Sequence, residues 1–369
     1  MDLSFPRPSR SRAYRWGEDG LAGFSDHHQR LCLSLALWNG RDPILKERLF
    51  GLTNTEGNHG EDCKELYYYL DANPTHAYLK MLYKYPQGEF PYADLVETNR
   101  SRGKHEREYE LIDTGIFDED RYFDIFVEYA RINPTAVNML VTVWNRGPDE
   151  ATLHLLPQLW FRNTWWWKFG AKRPRISARD PQSVDVIHHE MGAFQFFVEK
   201  ADEWLFTENE TNASRLFGED VEGYFKDAFH EYVVNGNAAA TNPERIGTKV
   251  AAHLVRSVSP GGCLQLRACL RDTSENDPFE AFAEVINARR TEADAFYNEL
   301  QIDFSPTTAC APWQRSTKLI RTYSLVAEVK WAFAISQPNP IRESSAGTQI
   351  AATHLDAKLS PRRIAREIS

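Results

Sequence analysis

The stretch RAYRWGEDGLAGFSD at 12–26, followed by LCLSLALWNGRDPILKERLFGLTNTEGNHGED at 31–62, decides how the chain is interpreted. Within it, LCLSLALW at 31–38 alternates leucine with other side chains, which predicts a β-strand with one strongly apolar face. A glycine-containing loop lies on each side, and these loops hold carboxylates beside Trp or His. Tryptophan beside paired acids is typical of surfaces that bind sugars and also of tight domain interfaces, so both interpretations stay open.

The composition places the chain among globular proteins and excludes several classes. The 369 residues are 42% apolar and 12% aromatic, enough for one large β domain or two smaller domains. The net charge of −9 argues against a nucleic-acid partner. No apolar run approaches the roughly 18 residues of a membrane span, and residues 1–12 lack the apolar segment of a secretory signal.

The cysteines are five in number and form no CxxC pair; they are Cys32, Cys63, Cys263, Cys269 and Cys310. This pattern argues against a disulfide framework or a zinc site and favours a reducing, cytoplasmic location. Neither a P-loop, a GxGxxG between strand and helix, nor a GxSxG elbow occurs. The sequence therefore predicts no metal and no cofactor.

A hydropathy period of two predicts a mainly β protein, with a large antiparallel β-sandwich at 31–275 after a loop segment at 1–30. Turn residues such as those at 145–148 separate the candidate strands. Pro157 lies inside one candidate and predicts a bulge or an edge position there, because proline has no amide hydrogen. The predicted strands are 31–38, 76–85, 122–129, 137–144, 153–161, 183–189, 194–198, 204–207, 250–258 and 263–270.

The period becomes helical near the C-terminal end of this region. Apolar residues recur at helical spacing between 279 and 300, while Asp277 and Glu280 form a capping box. These features predict a linker helix at 276–304. A short helix is also predicted at 219–234.

Two further segments are strongly charged. Residues 94–107 show no apolar period, which predicts a solvated loop or a short exposed helix. Residues 306–369 hold nine Lys or Arg and only four Asp or Glu, a reversal of the charge found in the rest of the chain. Together with its loss of aromatic residues, this predicts a poorly ordered tail at 305–369.

Several long blocks resemble the N-terminal part of bacterial glycoside hydrolases of the family 63 type. They include RAYRWGEDGLAGFSD, LALWNGRDPILKERLFGL, EGNHGEDCKELYYYLD, PTHAYLKMLYKYPQ, LIDTGIFDEDRYFDIFVEYA and LLPQLWFRNTW. This group is related to mannosyl-oligosaccharide glucosidase and to mannosylglycerate and glucosylglycerate hydrolases. The resemblance spans residues 10–304. It implies a large N-terminal β-sandwich followed by an (α/α)6 barrel, whose two carboxylates hydrolyse α-glycosidic bonds with inversion.

The sequence departs from that pattern before Arg12 and again after Phe304, where TTACAPWQRSTKLIRTYSLV has no counterpart. We therefore expect a truncated or frameshifted product that lacks the catalytic barrel and is inactive alone. No catalytic residue can be assigned. The alternative is a non-catalytic module that binds carbohydrate or another protein.

The candidate contact residues, for a substrate or for the barrel, are Trp16, Glu18, Asp19, Glu56, His59, Glu61, Asp62 and Trp165. An aromatic face can stack on a pyranose, and carboxylates accept hydrogen bonds from its hydroxyls. Each group also has a structural interpretation: the acids at 18–19 can pair with nearby arginines, and the loop at 56–62 can be a turn scaffold. That loop offers oxygen ligands suited to Ca²⁺ but has neither EF-hand nor HExxH spacing.

Two other motifs combine residue types that often occur at binding sites. In NTWWW at 163–167, three adjacent tryptophans on a strand could not all enter one core, so we expect at least one to be exposed or covered by another domain. His188, His189 and Glu190 carry metal-ligating atoms, but neighbouring histidines on a strand point apart.

Overall fold

The computed structural model describes residues 20–26, 28–47, 65–167, 170–272 and 277–301. The described chain forms two antiparallel sheets with a shared apolar core, followed by a C-terminal helix. This confirms the predicted mainly β class. The predicted tail at 305–369 and most of the loop segment at 1–30 lie outside the described residues. The domain boundaries and the linker role of 276–304 stay predictions.

The smaller sheet has five strands in the order β1-β2-β7-β13-β11. These strands are β1 (Phe24–Ser25), β2 (Leu31–Trp38), β7 (Ala151–Phe161), β11 (Glu203–Thr207) and β13 (Lys249–Val258).

The larger sheet has nine strands in the order β12-β8-β9-β10-β14-β6-β5-β4-β3. Its strands are β3 (Tyr67–Ala72), β4 (Tyr78–Pro86), β5 (Tyr122–Asn133), β6 (Ala136–Asn145), β8 (Arg175–Asp180), β9 (Ser183–His188), β10 (Gly192–Val198), β12 (Ile246–Gly247) and β14 (Cys263–Asp272). All ten strands predicted from the sequence are present, with ends that differ by at most four residues.

The alternation in β2 decides which side chains enter the core. Its leucines at 31, 33, 35 and 37 pack against residues of the nine-stranded sheet, as predicted. Ala36 on the opposite face is also buried, because it packs against Phe229 of a short helix that covers this side. Most of β2 is therefore buried on both faces. The alternation of leucines predicted an apolar, buried face on one side only.

The prediction of a bulge or an edge position at Pro157 is wrong. Pro157 lies in β7, which is hydrogen-bonded to β2 on one side and to β13 on the other. Pro157 pairs with Leu35 of β2. On the β13 side, two residue pairs are missing between Gln158–Ala251 and Leu155–Leu254, and the register is the same before and after this gap. The sheet accommodates the missing amide hydrogen by a local gap on that side.

Two strands, β3 and β8, were not predicted. The sequence of β3 is YYYLDA, in which three consecutive tyrosines hide the period of two. The sequence of β8 is RISARD, which is mostly polar. Each is identified only by its hydrogen bonds to the next strand of the sheet.

The chain crosses between the sheets at Gly247. Ile246 and Gly247 pair with β8 of the larger sheet, and β13 of the smaller sheet begins two residues later at Lys249. A Cβ atom at position 247 would overlap the backbone carbonyl of Thr207. Only glycine permits this close approach.

The helices are α1 (Tyr92–Ser101), α2 (Ala213–Phe217), α3 (Ala228–Val233) and α4 (Phe282–Gln301), with short 3₁₀ turns at Leu111–Thr114, Asp118–Asp120 and Ala238–Ala240. The segment predicted at 94–107 is partly helical and buries Leu95. The helix predicted at 219–234 is wrong over its first half, because α3 begins only at Ala228. Helix α4 begins after a turn at 278–281, in which Asp277 accepts the Phe279 amide.

Helix α4 packs on the outer face of the nine-stranded sheet. Phe282 and Ile286 are buried against Ala130 of β5. The Arg290 guanidinium lies 2.9 Å from the Glu128 carboxylate of the same strand. These contacts fix the helix to the sandwich.

Candidate functional site

Most of the candidate contact residues cannot be located in the structure. Trp16, Glu18, Asp19, Glu56, His59, Glu61 and Asp62 lie outside the described residues, so their roles stay predictions. Trp165 is described, and it identifies a cluster at one end of the five-stranded sheet. We call the set Trp165, Trp166, Trp167, Arg173, Glu208 and Glu210 the tryptophan cluster.

The turn that carries the tryptophans follows β7 directly. The Asn163 amide nitrogen donates to the Asn209 carbonyl at 3.0 Å, and the Asn209 amide nitrogen donates to the Phe161 carbonyl at 2.9 Å. These bonds tie the end of β7 to the segment after β11. Residues 165–167 lie in a turn after β7. The prediction that they belong to a strand is therefore wrong.

The predicted exposure is confirmed. Trp166 is 72% exposed and Trp167 is 65% exposed, whereas Trp165 packs partly against the core. The Arg162 guanidinium lies over the Trp167 ring at 5.1 Å. Two large apolar rings are therefore accessible at this end of the sheet.

Two carboxylates are joined to Trp165, one directly and one through Arg173. The Trp165 indole donates to Glu210 Oε1 at 3.0 Å, and Arg173 lies over the same indole at 5.6 Å. One nitrogen of Arg173 lies 2.6 Å from Glu210 Oε1 and 2.9 Å from Glu208 Oε2. The two acids therefore share one cation, which partly neutralises both.

Burial affects Glu208 more than this shared cation does. Removal from water raises the pKa of Glu208, and the hydrogen bond from the Thr248 hydroxyl and the charge of Arg173 oppose the rise. Thr248 Oγ1 lies 2.6 Å from Glu208 Oε2. The cluster thus holds one acid, Glu208, whose charged form is disfavoured by burial.

Two polar atoms at the start of the turn that carries the tryptophans are buried. Arg162 Nε and Asn163 Oδ1 are buried and have no hydrogen-bond partner among the described residues. Buried polar atoms of this kind are uncommon in folded proteins. They indicate an environment suited to a polar group supplied from outside or to ordered water.

A second polar chain lies on the outer face of the five-stranded sheet. His154 Nδ1 and His253 Nε2 are 2.9 Å apart, and His253 Nδ1 lies 2.8 Å from Glu203 Oε1. Tyr232 donates to the other oxygen of Glu203 at 2.6 Å. Trp38 packs edge-on against His154. Sequence reasoning missed this chain because its members come from four separated segments.

The His154 ring is held neutral. Burial, followed by the neighbouring His253, lowers the pKa of His154 to about 4. With a proton on His253 Nδ1 facing Glu203, His253 Nε2 accepts and His154 Nδ1 donates. The hydrogen bonds of this chain therefore fix the orientation of the His154 ring on β7 and of the His253 ring on β13.

A third cluster is fully buried. Lys46 Nζ lies 2.8 Å from Glu65 Oε1, 3.8 Å from Asp42 Oδ2 and 4.1 Å from the centre of the Phe90 ring. Tyr83 donates to Glu65, and Tyr85 donates to Asp42 at 3.0 Å. We call these six residues the lysine cluster. Every charge in it has a partner, as a structural role requires.

The histidine motif at 188–190 differs from its prediction. The strand ends at His188, so the His188 and His189 rings stack at 4.5 Å instead of pointing apart. His188 Nδ1 accepts the backbone amides of Glu190 and Met191. Within the described ranges, no group of three or more His, Cys, Asp or Glu is arranged to hold a metal ion.

Comparisons with known proteins give one clear sequence relative. No family model matches the chain. The chain is 40% identical, over 339 aligned residues, to an uncharacterized protein of Saccharomyces cerevisiae. The alignment covers 78% of this chain and 31% of the yeast protein, so the chain spans about a third of that relative's length.

Solved structures give only weak similarity. A candidate kojibiose phosphorylase from the human microbiome has a TM-score of 0.29 at 7% identity, covering 88% of this chain and 37% of its own. A family GH92 α-mannosidase from Bacteroides thetaiotaomicron, in complex with mannoimidazole, has a TM-score of 0.28 at 10% identity, with coverages of 86% and 38%. Likenesses at this level carry no functional argument.

A helix that crosses a lipid bilayer must be about 20 residues long and predominantly apolar. In the part of the chain that the structure describes, no helix is both long and apolar enough to span it.

Proposed function

We propose that this sandwich is the non-catalytic carbohydrate-contacting domain of a cytoplasmic, glycoside-hydrolase-type protein, with sugar bound at the tryptophan cluster. The observation that supports this most directly is that Trp166 and Trp167 are exposed in the same turn as Trp165, whose indole donates to Glu210. The sequence blocks that resemble family 63 hydrolases supply the class of ligand.

The chemistry of the tryptophan cluster suits a pyranose. One face of a pyranose exposes C–H groups, which an indole ring can cover, while its rim carries hydroxyls that donate and accept hydrogen bonds. Carboxylate oxygens accept from these hydroxyls, and Arg173 donates to them. An amphipathic ligand of this kind uses both the rings and the polar groups.

The same geometry argues against hydrolysis at this cluster. An inverting glycosidase needs one protonated and one ionised carboxyl on opposite sides of the bond, separated widely enough for a water molecule. Glu208 and Glu210 instead converge on one nitrogen of Arg173. We therefore assign this cluster to binding and expect no turnover from it.

Titration of the protein with kojibiose, glucosylglycerate and mannosylglycerate tests the proposal. Saturable quenching of tryptophan fluorescence is expected, with no free sugar released. Trp166→Ala combined with Trp167→Ala should weaken binding about threefold to thirtyfold, from the loss of aromatic contact. Ile187→Ala, an exposed apolar residue of the larger sheet, is the matched control and should leave affinity unchanged.

A protein-docking surface is the second candidate, because two large exposed rings also suit a protein interface. In that case none of the sugars binds, and the double tryptophan variant is less prone to associate in sedimentation. Release of sugar by the purified protein would contradict both assignments.

A further inference from the structure

A cavity of about 400 Å³ lies between the two sheets at one end of the sandwich. Phe24, Leu31 and Leu33 line it from the five-stranded sheet, and Phe194 and Leu270 line it from the nine-stranded sheet. This volume falls within the range of small-molecule pockets. The cavity shares no lining residue with the tryptophan cluster, so it is a separate candidate site.

The walls of the cavity are predominantly apolar. Leu31, Leu33 and Phe24 belong to the buried core, and Met191 and Phe194 are half-buried against it. Water is poorly stabilised in an apolar cavity, because each buried water molecule needs two to four polar partners. Its chemistry favours the aliphatic or aromatic body of a ligand.

The charges that line the cavity are not balanced. Asp26 and Arg30 pair at 3.0 Å, and Arg30 also reaches Glu190 at 2.9 Å. Arg131, the other arginine that lines the cavity, makes no ion pair among the described residues. In the described ranges, its side chain makes one hydrogen bond, a long one of 3.4 Å to the Thr75 carbonyl.

The surroundings of Arg131 make an anionic partner favourable. Burial and the nearby charge of Arg289 both disfavour the protonated guanidinium and lower its pKa. An anion at this position would offset both effects. A carboxylate is the best geometric match, because it can accept two parallel hydrogen bonds from a guanidinium.

We propose that this cavity binds a small amphipathic carboxylate, with its apolar body between the sheets and its carboxylate on Arg131. This site is independent of sugar binding at the tryptophan cluster. Octanoate is a suitable probe, and octanol is its neutral counterpart of the same chain length.

Calorimetric titration of the full chain with both probes tests the proposal. Octanoate should bind saturably and at least about tenfold more tightly than octanol, as expected for a charge-assisted pair. Arg131→Gln should abolish this preference while leaving octanol binding unchanged. Arg256→Gln, which removes an arginine paired with Asp202 on the other sheet, is the matched control and should change neither affinity.

A second variant tests the position of the ligand. Met191→Glu places a negative charge in the wall and should weaken octanoate binding while permitting octylammonium to bind. Circular dichroism melting curves identify any variant that fails to fold. Absence of saturable octanoate binding, or octanoate affinity that is equal in the wild type and Arg131→Gln, would overturn the proposal. A sugar titration of Arg131→Gln separates this result from the proposed function.

Discussion

The tryptophan cluster and the lysine cluster use the same residue types and differ in burial. Each combines two carboxylates, one cation and several aromatic rings. In the lysine cluster the Lys46 and Asp42 side chains are at most 2% exposed, and every charged group has a partner. In the tryptophan cluster Arg173 is 45% exposed, and two indoles face solvent.

This difference separates a structural site from a binding site. Burial raises the pKa of Glu65, and the charge of Lys46 and the hydroxyl of Tyr83 counter it. No atom of that cluster is available to a ligand, because hydroxyls and ring faces already surround its charges. The tryptophan cluster has the same chemistry with one side open.

Loss of the cation should have its largest effect in the lysine cluster. Lys46→Met leaves Glu65 and Asp42 buried without a counter-charge, and we expect it to lower the free energy of unfolding by about 3–5 kcal/mol. Urea denaturation measures this change. Lys46→Met combined with Glu65→Gln should recover part of the loss, and an equal or larger loss in the double variant would contradict the pairing.

The histidine chain should show an intermediate effect that depends on pH. The pKa of His154 falls from 6.5 to about 4 on folding, so the unfolded chain binds a proton that the folded chain excludes between these values. This contribution is fully present above pH 6.5 and is lost as the pH falls toward 4. Because His154 is only partly buried, we expect a loss of roughly 1–2 kcal/mol.

Urea unfolding between pH 4 and 7 measures the histidine contribution. His154→Gln should flatten the curve over that window. His105→Gln, an exposed turn residue remote in sequence from the chain, serves as a reference. An unchanged slope in His154→Gln would rule out His154 as the source.

Loss of the cation from the tryptophan cluster should cost far less stability. Arg173→Met is the counterpart of Lys46→Met, but its ion pairs are partly exposed, so the expected loss is below about 1 kcal/mol. The same urea assay applies. A loss as large as that of Lys46→Met would show that exposure does not distinguish the two clusters. Sugar affinity is the property that Arg173→Met should reduce.

The smallest effect is expected at Glu208. Because burial raises its pKa above 4.5, the folded state retains a proton more readily than the unfolded state, and stability falls as the pH rises through 4.5. Glu208→Gln should remove that slope and slightly increase stability at neutral pH. Thermal melts at pH 4 and pH 7 measure both changes. A Glu208→Gln variant less stable at pH 7 would contradict this assignment.

Sequence reasoning predicted strands most reliably where the period of two is regular, as in β2 and β13. It failed at β3 and β8, where a run of tyrosines or of polar residues hides the period and pairing with a neighbour defines the strand. It placed Trp165 among the candidate contact residues but missed Glu208, Glu210 and Arg173. These residues lie 8 to 45 positions away along the chain and are brought together by the hydrogen bonds of Asn163 and Asn209.

The sequence by itself determined the mainly β fold class. Alternating apolar side chains lie on one face of a strand, and packing two antiparallel sheets together buries these faces. It also predicted that at least one tryptophan of NTWWW stays outside the core of this domain, although the residues lie in a turn and not in the strand assumed. Only the tertiary structure decided which carboxylates are buried and paired and which stand beside accessible rings. That depends on which distant segments cover each face, and hydropathy along the chain does not encode it.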